Sequence, residues 1–248
     1  MRRRIVVIAV TAFWLVMMGW LARREMSLTA EEEFYRELSY SGLVDETVVM
    51  DVFWRGRRAG ETRTSRTVTE TGMSIRTVAQ LSLDGAGEGD ISFSSQARLN
   101  RKFRIEHLLV KAVWGKRHLS AVGSAEGNSL LLKVKGLGPE EEVFTIPNAG
   151  GLTLASGLLP TLPTRQLREG SEWEVPSFDL AAGKITRGSA RVESIQKLLW
   201  NGRLRDCYRI TFMDPVGRRT LTAWADTEGK LVKVEVMGVT LVRRPDAD

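Results

Sequence analysis

From Val48 onward, apolar and polar side chains alternate with a period of two, the spacing of a strand with one face packed and one face wet. Met73, Ile75, Ala79, Leu81 and Leu83 fall on one side of such a strand, and Ser74, Arg76, Gln80 and Ser82 on the other. The pattern returns at Ile91, Phe93, Ala97 and Leu99, at Phe103, Ile105 and Leu109, and at Leu130, Leu132 and Val134. Near the C-terminus it becomes a meander. Leu204, Tyr208, Ile210 and Phe212 line one face, and Asp214–Gly217 form a turn, because Pro presets φ and Gly accepts a positive one. Arg219–Ala225 make the next strand, Asp226–Gly229 a second turn, and Leu231–Val242 a last strand with Val232, Val234 and Val236 together. Alternation with one apolar face marks antiparallel sheet. The chain is therefore expected to be mainly β. Roughly ten to twelve strands would form a large curved antiparallel sheet or half-barrel, since sheets that long rarely stay flat.

Two segments break this rhythm. Residues 5–22 carry no charge, and as a helix they would span about 27 Å at about 1.5 Å per residue, close to a bilayer's hydrocarbon core. A cleaved signal peptide is the rival reading, but cleavage after Ala22 would put Trp20 where a small residue is needed. The expectation is an uncleaved transmembrane signal anchor over Ile5–Ala22 behind a short cytoplasmic tail, residues 1–4. Thr29 with Glu32 three residues on forms a capping box, so residues 23–46 are expected to hold a short juxtamembrane helix and linker. The second break is Pro147–Glu169, rich in Pro, Gly and Leu, which cannot be a regular central strand. It predicts a long connection with a short helical crossover. Leu152, Leu154, Leu158 and Leu159 would act either as a plug over the sheet or as a core-covering crossover. The extracytoplasmic β domain is expected over 47–242 and a flexible tail over 243–248.

Charge changes the picture less than it first promises. The net charge is +6, which suggests nucleic acid. But Arg2, Arg3, Arg4, Arg23 and Arg24 flank the apolar segment, and without them 31 basic side chains meet 30 acidic ones. The excess belongs to membrane topology, and no nucleic-acid partner is expected. The flanks imply a cytoplasmic N-terminus and a domain outside the bacterial inner membrane, periplasmic or extracellular, with the lipid bilayer a partner through residues 5–22.

Candidate chemistry is sparse. Cys207 stands alone, so no intramolecular disulfide and no Cys/His metal spacing is available. Arg205 and Arg209 share its strand face and would lower a thiol pKa, although a charged strand face is ordinarily a wet one. His107, in phase with Ile105 and Leu109, reads as a half-buried histidine, and His118 as a solvated one in a basic turn. No phosphate loop or hydrolase motif occurs, and no catalytic residue, metal or cofactor is assigned. Arginines are dense around Arg55, Arg57, Arg63, Arg101 and Arg104, which would line a groove for an anionic glycan or lipid head group. A solvated face or a contact with anionic membrane fits them equally.

The run from Val48 to Glu61, VVMDVFWRGRRAGE, ends a strand in an aromatic and a Gly turn before a Thr-rich strand. Gly170–Trp173, Ser177–Asp179 and Trp224–Lys233 follow in order. This succession resembles the β-rich region upstream of transglutaminase-like domains in bacterial exported proteins. It also resembles periplasmic domains built on a curved sheet like that of lipoprotein-carrier proteins. The catalytic domain of that arrangement has no counterpart here, so the resemblance transfers no active-site residue. It implies a non-enzymatic envelope module that binds a hydrophobic or glycan ligand or docks a separately encoded envelope enzyme. The alternatives are a structural or assembly subunit of an envelope complex, and a hydrolase without a familiar motif.

Overall fold

A computed structural model of the chain describes residues 44–82, 90–101, 104–127, 129–136, 138, 140–147, 167–179, 184–214, 219–236 and 238–245. These fall within a unit spanning Gly42–Asp248. Fourteen strands follow one another: β1 (Glu46–Trp54), β2 (Arg57–Thr69), β3 (Gly72–Ser82), β4 (Asp90–Asn100), β5 (Ile105–Trp114), β6 (Arg117–Glu126), β7 (Ser129–Lys135), β8 (Glu142–Pro147), β9 (Glu172–Asp179), β10 (Lys184–Trp200), β11 (Arg203–Met213), β12 (Arg219–Asp226), β13 (Leu231–Val236) and β14 (Val239–Arg243). All lie in one antiparallel sheet, ordered β8-β7-β6-β5-β4-β3-β2-β1-β14-β13-β12-β11-β10-β9. The sheet is not closed. Its edges, β8 and β9, are consecutive in sequence, while the first and last strands pair in its interior through Met50–Trp54 and Val239–Arg243.

One face is mainly apolar across the sheet, interrupted by a few buried polar side chains. Val48, Met50 and Val52 share this face with buried Met73, Ile75, Ala97, Leu99, Ile105, Ala121, Leu130, Leu132 and Val134 on one side of the junction. On the other side Ala190, Val192, Ile210, Phe212, Ala223, Ala225, Leu231 and Val234 form a cluster with Leu167, and Trp173, Tyr208, Leu221 and Leu241 pack against it. The alternation survives so well because a one-residue slip would turn every apolar side chain toward water.

Bulges revise several expectations. The extra residue Glu106 between Ile105 and His107 moves the rest of β5 by one position. Leu108, Val110 and Ala112 therefore take the apolar face. Leu109, expected there with Ile105, points the other way and is 38% exposed. His107 goes with it and is exposed, not half-buried. The single last strand expected over Leu231–Val242 is a hairpin of two, turned at Gly238 with φ of 81°. Val232 does not join Val234 and Val236. A bulge opposite Trp224 and Ala225 sends it to the other face, against Trp224 and Cys207. The tail expected from residue 243 starts later, since Arg243 ends β14 and is buried. β1 begins at Glu46, just inside the expected linker.

The expected transmembrane helix at Ile5–Ala22 and juxtamembrane helix lie outside the described residues, as do Leu152, Leu154, Leu158 and Leu159. Among the described residues there is no helix, and none long and apolar enough to cross a membrane.

Candidate functional site

The five arginines singled out in the sequence do not line one groove. Arg55 sits in the β1–β2 turn at φ of 51°, its guanidinium 5.5 Å from the Trp54 ring centre, and Arg57 opens β2. Arg101 and Arg104 lie beyond the other end of β4, where Arg101 Nε donates to the Glu70 carbonyl at 2.5 Å. Asn100 Oδ1 accepts from the Arg104 amide at 3.1 Å. The twelve steps of β2 from Arg57 to Thr69 separate these ends by about 40 Å. Only Arg63 stands in mid-sheet, exposed on the polar face. Density in sequence did not become density in space, because a strand carries its two ends apart.

Around Arg63 a groove of about 440 Å³ opens between β2 and β3, lined by Glu61, Arg63, Ser65, Arg76, Val78 and Gln80. Two more arginines organise its upper margin. Arg244 Nη2 donates to Asp51 Oδ1 and to Glu61 Oε2, each at 2.7 Å, and Arg58 Nε donates to Asp51 Oδ1 at 2.9 Å. The Arg244 hydrogen bond is the main force holding the Asp51 carboxyl below its ordinary range, against a smaller upward push from burial. On the apolar face Glu46 accepts from Arg66 at 3.0 Å and from Arg243 at 3.3 Å. Arg243 is 5% exposed, so this pair is set in the core's margin.

The apolar face carries a polar row. Thr64 and Thr77 hydroxyls lie 3.0 Å apart, and Ser95, opposite Thr77, is 3% exposed with its Oγ lacking a partner among the described residues.

Cys207 is not on a wet face. Leu198 and Trp200 pack against Cys207, Trp224 and Val232, and the thiol is 0% exposed. Burial first, then the Asp226 carboxylate, push it up to about 11, outweighing Arg205. Arg205 is turned instead over the Trp200 ring at 4.6 Å. His107 on β5 and Cys207 on β11 are separated by seven strands in the sheet, so no Cys–His dyad forms. His118, as expected, is exposed. Asp226 serves its turn, accepting from the Glu228 and Lys230 amides at 3.0 and 2.8 Å. Among the described residues no cluster of His, Cys, Asp or Glu is fit to hold a metal.

Sequence reasoning missed Arg76, Lys111 and Lys133 as companions of Arg63. The period-two pattern puts each on a polar face, but only the strand register reveals that those faces are one surface.

No family model and no curated protein matches the chain. Among solved structures it is similar to a β-barrel-like protein of the domain of unknown function DUF1849 from Brucella abortus, at 11% identity and a TM-score of 0.50, over 82% of this chain and 95% of that one. At that identity the likeness concerns the fold alone: this chain shares the mainly β architecture of that protein.

Proposed function

We propose that the chain is a non-enzymatic protein of the bacterial envelope, anchored through Ile5–Ala22 with its N-terminus cytoplasmic, whose sheet curves around a hydrophobic ligand. The observation that carries this reading is the mainly apolar face of a fourteen-stranded sheet that does not close. About eight strands curl into a barrel that side chains alone can fill, and a sheet of fourteen has a wider interior to occupy. An open sheet leaves a lengthwise access between β8 and β9. Leu152, Leu154, Leu158 and Leu159, in the Pro- and Leu-rich segment between those two strands in sequence, are proposed as a plug or core-covering crossover over the sheet. The resemblance to periplasmic lipoprotein-carrier-like sheets supports the same reading.

Native mass spectrometry of the full chain after gentle extraction is the test. A retained lipid mass is expected, and a clean apo spectrum counts against the proposal. A retained glycan would move the ligand class and keep the site. A second reading, docking of a separately encoded envelope enzyme or assembly partner, is favoured by Ile195, Leu199 and Leu204 on the β10–β11 hairpin, which are 44%, 69% and 67% exposed. Stoichiometric co-purification that Leu199→Asp abolishes would support it.

A further inference from the structure

We propose that the polar face of β2–β7 is a docking surface for an anionic phospholipid bilayer. The surface is independent of whatever the apolar face holds. Strand register assembles it from residues far apart in sequence. Arg63 pairs with Val78, and Ser65 with Arg76; Arg76 pairs with Gln96, and Ser74 with Arg98. Arg63, Arg76 and Arg98 therefore form a diagonal over three neighbouring strands. With strands about 4.8 Å apart and alternate residues about 6.8 Å apart, each step is about 8 Å. Lys111 lies in the cross-strand row of Arg63, through Val78 and Ser94, and Lys133 in the row of Arg76, through Gln96, Leu109 and Val122.

All five cations are exposed, and none makes an ion pair within the described chain. The three consecutive rows that carry them across β2–β7 contain no Asp or Glu. A protein of nearly balanced charge beyond its flanking arginines thus presents a patch of one sign, with Glu61, Asp90 and Glu126 only at its margins, and such a patch attracts an anionic partner. The groove between Arg63 and Arg76 gives one head-group phosphate a place between two guanidiniums, and the Glu61 carboxylate that also lines it is taken up by Arg244 at 2.7 Å.

The aliphatic side chains on the same face identify the partner. Leu109, Val122 and Val143 are 38%, 53% and 55% exposed, and they lie in the row of Arg76 and Lys133. A soluble polyanion would neutralise the cations and leave these three in water. A bilayer interface takes both, the cations at the phosphates and the aliphatic groups below them.

The test uses the full chain with a polarity-sensitive dye on Gln96→Cys, at the centre of the face; the buried Cys207 leaves that thiol as the labelled one. The protein is reconstituted in vesicles of phosphatidylcholine alone or mixed with phosphatidylglycerol. A blue shift is expected only with phosphatidylglycerol, receding as salt is raised. Each cation replaced by Gln should lower the docked-to-free ratio about fivefold, and replacing all five should abolish the shift. If that variant loses its β-sheet circular dichroism, Val122→Asp provides the same test at one exposed position. A dye that remains in water on both vesicles overturns the proposal, as does one that responds to alginate and not to phosphatidylglycerol. Loss of the inner-face ligand would leave this result unchanged, so the two proposals fail separately.

Discussion

At Asp51 a carboxylate lies under two guanidiniums, and its position explains why. It pairs with Glu61 on β2 and Val242 on β14, so two acids meet at the junction of three strands, and Arg244 and Arg58 together neutralise them. Because the folded-state pKa of Asp51 is depressed, its contribution is complete above the unfolded value of about 3.9. That contribution fades as pH falls through the folded value. Thermal melts should therefore show stability dropping below about pH 4, and Asp51→Asn should remove that part of the acid sensitivity. Cys207 leads to a second expectation. A thiol raised to about 11 and fully covered is protonated at neutral pH and should ignore a disulfide reagent until the protein is denatured, as an absorbance titration would show. Gly72 leads to a third. A Cβ there would run into the Leu99 carbonyl oxygen of the neighbouring strand, backbone that cannot easily yield. Gly72→Ala should cost about 1–3 kcal/mol in urea unfolding.

At the scale of elements, the long β10–β11 hairpin is the informative case. It extends past β12, and its tip carries Leu198 and Trp200 over Cys207, Trp224 and Val232. The Trp200 indole donates to the Arg243 carbonyl at 2.7 Å, fastening the tip to the last residue of β14. Trp200→Phe keeps an aromatic ring and loses this bond. A loss of about 0.5–1.5 kcal/mol is expected, measurable in the urea midpoint. This second core was not legible in the sequence. Cys207, Arg205 and Arg209 look like a wet face in the sequence because charges alternate there, and only Leu198 and Trp200 of the same hairpin, with Trp224 and Val232, cover the thiol. The β5 register was illegible for a related reason. Nothing in Ile105-Glu106-His107 announces a bulge, so His107 and Leu109 were assigned to a face they do not occupy.

For the whole molecule, the pairing of first and last strands matters most. Every other sheet contact joins strands adjacent in sequence, whereas β1 and β14 come from opposite ends of the domain. Loop-closure entropy makes so distant a pairing a late event. Met50, 3% exposed and paired with Arg243, sits at that seam. Met50→Ala should destabilise by about 2–5 kcal/mol, appearing in stopped-flow measurements as faster unfolding with little change in refolding.

The sequence by itself determined that this is an antiparallel β protein, where most strands lie, and which face of each is apolar. Those are properties of alternation along a few residues, and a face packed against a core enforces them. It also determined that the basic excess belongs to the arginines flanking Ile5–Ala22. The tertiary structure decided the strand order, the seam between β1 and β14, the dispersal of Arg55, Arg57, Arg101 and Arg104, and the gathering of Arg63, Arg76, Arg98, Lys111 and Lys133. Each depends on which strands neighbour one another and in what register, and hydrogen bonds between distant segments set both.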